Sequence, residues 1–165
     1  MTLDRFKKMF QYNYWANDKM WDYVLQLNEE QFYRPCDYSV GSVHQQVVHM
    51  MGVEELWLHR VRTVNQPLEF AQPDVYPTQA DIQNHWQTIR HDWIVYLDEL
   101  TEEELDEEIA VVSITYDTTF TSPRWEALAQ VINHSTDHRA QTLSLIHQVG
   151  GKTDAQDFIF YAWGQ

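Results

Sequence analysis

The residues Ile82, Trp86, Ile89, Trp93, Leu97 and Leu100 follow one another at steps of three and four, with mostly polar positions between them. Only a helix with its 3.6-residue turn gathers such a set on one face, and a face that apolar must be covered by other elements. Thr78 stands where an N-cap belongs, so the pattern predicts a helix opened by Thr78 and ending near Leu100. One amphipathic helix buries nothing by itself, and the rest of the chain has to supply its partners.

Three further helices are legible. From about Leu3 to Leu27 there is no Pro or Gly, and Phe6, Phe10, Tyr14, Trp15, Trp21 and Leu25 crowd the stretch. A second helix starts after Ser42, which forms a capping-box pattern with Gln45, and continues to about Thr63. Pro67, Pro73 and Pro77 mark Asn65 to Thr78 as a loop. Ser122-Pro123 reads as a cap followed by proline at the first helical position, opening a last helix that Gly150-Gly151 closes. Before it, Val111, Val112, Ile114, Thr115, Tyr116, Thr118, Thr119 and Phe120 favour extended backbone, so Ile109 to Thr121 predicts a short hairpin. The tail through Phe158, Phe160 and Trp163 is too apolar to hang free and is expected to pack on the helices. The fold class is therefore all-α: a four-helix bundle with a short β-hairpin or extended segment before helix four, in a single domain spanning residues 1–165.

Charge narrows the function. With 25 acidic residues against 11 basic ones, the net charge of -14 repels phosphate backbones and anionic membranes, so neither nucleic acid nor membrane is an expected partner. The acidic run from Glu102 to Glu108 reads as a solvated connector. No stretch approaches the roughly 20 apolar residues of a membrane span, and no apolar signal core follows Met1, which makes a cytoplasmic location the expectation. The single cysteine, Cys36, can form no internal disulfide and no Cys-x-x-Cys motif, and nothing beside it supplies the base a nucleophilic thiol requires.

The chemistry-bearing residues are histidines. His134 and His138 are one helical turn apart and share a face with Ala127, Val131, Gln141 and Leu145, so both point inward. His49 shares its face with Val53 and Leu56 and points inward as well. A single buried imidazole is usually satisfied by ordinary hydrogen bonds. Three on facing core surfaces instead select His49, His134 and His138 as a divalent-metal site. The other five fail this test: His147 faces the opposite side of its helix, His44 lies about 140° around from His49 with His59 nearer to it, and His85 and His91 share no face. They read as surface or secondary residues. Imidazole suits zinc, nickel, copper and iron, with zinc, nickel or iron the expected ions. Three protein ligands leave a coordination position open, as in catalytic rather than structural sites. Ser135, Thr136 and Asp137 fill the gap between the two histidines, so the glutamate of a His-Glu-x-x-His protease is missing. No Gly-x-Ser-x-Gly elbow, phosphate loop or dinucleotide fingerprint is present.

Three segments together resemble the DinB family: Tyr12-Asn13-Tyr14-Trp15-Ala16-Asn17, the run from His49 to Arg60, and the run from Val131 to Gln141. They occur in the family's order and span nearly the whole chain. The resemblance implies a four-helix bundle, commonly a homodimer, with a metal held by one histidine of helix two and two of helix four. Position by position these are His49, His134 and His138. Members often read His-His-Arg-Gly-Gln near the last ligand, where this chain has Asp137-His138-Arg139-Ala140-Gln141; neither change removes a ligand. The wider superfamily contains enzymes that use low-molecular-weight thiols, which implies a metal-dependent thiol S-transferase acting on a small-molecule substrate. The alternatives are a stress-related metal-binding protein without turnover and a metal-dependent hydrolase. Arg139 and Gln141 read as a surface charge and a core hydrogen bond, or else as groups orienting substrate or water. Tyr14, Trp15, Asn17 and Trp57 are candidate pocket-lining residues, with packing the expected role of the tryptophans.

Overall fold

In a computed structural model that describes residues 1–62, 68–113 and 116–164, four long helices carry the chain. They are α1 (Leu3–Val24), α3 (Val43–Val61), α4 (Gln79–Glu99) and α5 (Arg124–Gln148). Two short helices, α2 (Glu29–Tyr33) and α6 (Phe158–Ala162), flank them, and a two-stranded antiparallel sheet of β1 (Glu108–Ser113) and β2 (Thr118–Pro123) precedes α5. The expected end of the second helix at Thr63, the first loop residues up to Pro67, and Ile114 and Thr115 of the hairpin lie outside the described residues.

The starts of α3 and α4 follow the capping chemistry: Ser42 with Gln45, and Thr78 with Asp81, each form a reciprocal capping box that satisfies backbone N–H groups the helix leaves open. The start of α5 differs from expectation. Ser122 and Pro123 belong to β2, paired with Ile109 and Glu108, and Arg124 is the first helical residue with no side-chain cap. The ladder claims the backbone that a cap would need, and the Arg124 amide instead donates to the Glu107 carbonyl at 2.9 Å. Helix α1 stops at Val24, short of Leu27, which tucks into the core from the following turn. The two short helices show no periodicity, since five residues span little more than one turn, although Asn28 and Gln31 form a capping box at the start of α2.

Phe6, Phe10 and Met20 of α1, Met50 and Met51 of α3, Trp93 of α4, and Leu128 and Leu145 of α5 fill the centre. The stripe on α4 is buried at all six of its positions. The acidic connector is largely solvated, yet it also ties elements together: Glu102 accepts from the Leu3 amide at 2.8 Å, Leu105 is buried, and Glu107 pairs with Arg124 at 3.0 Å. The tail packs only in part. Phe158 and Tyr161 lie against Tyr12, whereas Trp163 remains exposed. Among the described residues no helix is long and apolar enough to cross a membrane.

A candidate metal centre between two helices

Helices α3 and α5 pack along their length and bring His49 against His134 and His138. Facing Nε2 atoms of His49 and His134 are 3.3 Å apart, the His134 and His138 rings stack at 4.2 Å, and His49 lies 4.5 Å from the His138 ring. One nitrogen from each of the three falls within 4.8 Å of the others, and no further His, Cys, Asp or Glu joins the group among the described residues. All three side chains are half-buried.

Their protonation suits a metal. Burial pulls His49 down from 6.5 to about 4, with the His138 charge acting in the same direction. His134 is likewise lowered to about 4 by burial and by its two neighbours, against a weaker pull from Asp137. His138 is lowered by burial, and Asp137 opposes this. The imidazoles are therefore neutral near pH 7, the form that donates a lone pair. Two nitrogens bound to one ion at about 2.0–2.1 Å and at the tetrahedral angle lie about 3.3–3.4 Å apart. The His49 to His134 separation of 3.3 Å matches that edge, and His138 brings a third nitrogen within 4.8 Å of both, a donor set that could hold a divalent ion.

The ligating faces are held from behind by polar contacts. Gln46, fully buried one turn before His49, places its amide nitrogen 2.8 Å from Nδ1 of His138. Gln141 and Ser39 complete that contact, and Thr142 donates to the His138 carbonyl at 2.7 Å. On the outer side the loop after α3 closes on Gly52, where a Cβ would meet that of Ala71 at 2.9 Å and the Phe70 ring at 3.2 Å. That close approach sets the Phe70 ring 5.8 Å from His49, an apolar wall beside the histidines.

Beneath the site lies a buried ionic network. Oε1 of Glu54 accepts from Asn13 at 3.2 Å, Asn17 at 3.4 Å and Ser135 at 2.9 Å, while Oε2 accepts from the Trp86 indole at 2.7 Å. Arg139 donates to the same two asparagines at 2.8 and 3.0 Å. Burial pushes the Glu54 carboxyl up, and these donors and the Arg139 charge oppose it. Arg139 is only 3% exposed, which corrects its reading as a surface charge: although its neighbour Ala140 is exposed, it turns inward because Asn13 and Asn17 offer it acceptors. His44 is also buried, bonded to the Tyr76 carbonyl at 2.7 Å, while His85 pairs with Glu55 and His147 with Thr153 near the surface.

The pocket-lining expectations divide. Tyr14 and Asn17 line a cavity of about 170 Å³ with Trp21 and Trp86, but none of the three histidines borders it. Trp15 packs on Tyr12 and Tyr161, and Trp57 lies under the Arg60 guanidinium at 4.6 Å, both structural roles. Sequence reasoning missed Gln46 and Glu54. For Glu54 the signal was the polar pair Asn13 and Asn17, four apart on the buried face of α1, which demands buried partners.

Fold and site together define a class: a helical bundle whose two facing helices present three neutral histidines able to hold a metal ion. The chain belongs to the DinB family, whose model matches residues 1–165. It is 21% identical over 160 residues to Protein DinB of Bacillus subtilis strain 168, covering 93% of this chain and 91% of that protein. A DinB-like protein of Bacillus cereus ATCC 10987 has the same fold, with a TM-score of 0.66 at 15% identity over 93% of this chain and 97% of its own. A DinB-like protein of Bacillus subtilis gives 0.62 at 17% identity, over 88% and 94% respectively.

Proposed function

We propose that His49, His134 and His138 hold a divalent ion, zinc, nickel or iron, and that the protein is a metal-dependent thiol S-transferase using a low-molecular-weight thiol. The observation that carries the reading is the count and placement of donors: three neutral imidazoles converge and no fourth protein ligand completes the set among the described residues. Bound there, the ion supplies Lewis acidity that makes a thiol ionise near neutral pH. The residues do the rest. His49 and His134 stay neutral because burial disfavours their charged forms, so each keeps a ring lone pair. Phe70 lines the approach with an apolar ring, suited to the carbon skeleton of an electrophilic small molecule and to limiting water at the reacting atoms. The Glu54 and Arg139 network joins α1, α3, α4 and α5 behind the site, which fixes the spacing of the two ligating helices.

The test is turnover of metal-loaded protein with bacillithiol, glutathione and coenzyme A, each against a panel of alkyl and aryl electrophiles. Thiol-dependent product is expected with at least one pair, and its loss in His134→Ala. Full metal occupancy with no thiol-dependent turnover for any pair would contradict the transferase reading while leaving the metal site intact.

A further inference from the structure

We infer that Gln46, Gln141 and Ser39 form a hydrogen-bond relay whose direction reverses when His138 takes up a metal, so that Gln46 sets the affinity of the site; this rests on the metal-site reading above. The Gln46 amide nitrogen sits 2.8 Å from Nδ1 of His138, and as the amide is oriented it donates. Nδ1 is then the acceptor, and the single ring proton of the neutral imidazole resides on Nε2. With Nδ1 taken by Gln46, Nε2 is the nitrogen left for an ion, and in this tautomer it has no lone pair to give.

Metal binding requires the other tautomer, with the proton on Nδ1 and an acceptor facing it. Turning the Gln46 carboxamide by 180° brings Oε1 to that position with no change of shape. The neighbours allow it. Gln141 Oε1 now accepts from Gln46 at 3.3 Å; turned in the same sense, its amide nitrogen donates to the Gln46 oxygen instead. The Ser39 hydroxyl, whose single hydrogen is now shared between the Gln46 and Gln141 oxygens, becomes an acceptor for both amides. The turn breaks the bond from Gln46 to the His138 carbonyl at 3.3 Å, and Thr142 still satisfies that oxygen at 2.7 Å. Ser39 sits at a positive φ of 55° two residues before Gly41 at 109°, in the turn that leads into the Ser42 cap, so the relay ends on a backbone of unusual shape.

Gln46→Met keeps the length and removes the acceptor, whereas Gln46→Glu can only accept and favours the Nδ1 proton. Titration with Zn2+ against a chromophoric chelator, using the full-length chain, is expected to show about 10–100-fold weaker binding for Gln46→Met. Gln46→Glu is expected to bind at least as tightly as wild type. Nitrogen NMR of the His138 ring should show the proton moving from Nε2 to Nδ1 on zinc addition. Gln46→Met binding within twofold of wild type, Gln46→Glu binding more weakly than Gln46→Met, or a ring proton already on Nδ1 without zinc would each overturn the relay. Failure of wild type to bind Zn2+ at all would instead remove the metal site, a result that separates the two claims.

Discussion

Glu54→Gln lowers the stability of the fold by about 3–5 kcal/mol, roughly 6–20 °C in melting temperature for a chain of this size, because it strands a buried charge. Glu54 and Arg139 are 1% and 3% exposed and never touch; Asn13 and Asn17 bridge them, donating amide hydrogens to the carboxylate and offering carbonyl oxygens to the guanidinium. Removing the negative charge leaves Arg139 in the core with no counter-charge. Arg139→Met alone costs a similar amount by leaving the carboxylate uncompensated. The double variant is expected to cost less than the two single losses added, by about 0.5–3 kcal/mol, since it removes both charges together. The surface pair Lys7 and Asp98, 3.3 Å apart with its carboxylate 70% exposed, is the contrast. Breaking it costs at most about 1 kcal/mol. Urea denaturation of the single and double variants measures all of these, and strict additivity at the Glu54 and Arg139 positions would show that the asparagines do not couple the charges.

A second large effect is metal-dependent stability with a defined pH sign. Zinc at about 100 times its dissociation constant adds about 2.7 kcal/mol to a site present only in the folded state, or roughly 5–11 °C in melting temperature. His134→Ala abolishes that increment. Without metal, His49 and His134 have their folded values lowered from 6.5 to about 4, so between those limits the unfolded chain binds more protons than the folded one. Their contribution to stability is therefore complete above about 6.5 and is lost as the pH falls towards about 4. Protons also compete with zinc for the same nitrogens, so the zinc increment fades in the same window. Calorimetry across that range, with and without zinc, checks both slopes; a zinc increment that grows on acidification would contradict the assignment of these imidazoles as ligands.

The long helices were readable because each advertises one apolar face, and α3 and α4 a cap as well. The stripe from Ile82 to Leu100, the Ser42 and Gln45 box and the inward positions of His49, His134 and His138 depend on local sequence pattern alone, and local pattern survives folding. What escaped depends on tertiary partners. Pro123 looked like a first helical residue, but the pairing of β1 with β2 carries the strand through it. Arg139 looked solvated because its burial is decided by two asparagines more than 120 residues away in the chain. Gln46 carried no signal of its own, since its role exists only where α3 meets α5.

Elemental analysis of purified protein beside its His138→Ala variant tests the central claim most directly. The arrangement of three imidazoles predicts close to one equivalent of zinc, nickel or iron per wild-type chain and a near-complete loss in the variant, with the helical content of both unchanged. Equal metal content in the two proteins, or no metal in wild type after reconstitution with each ion, would contradict it.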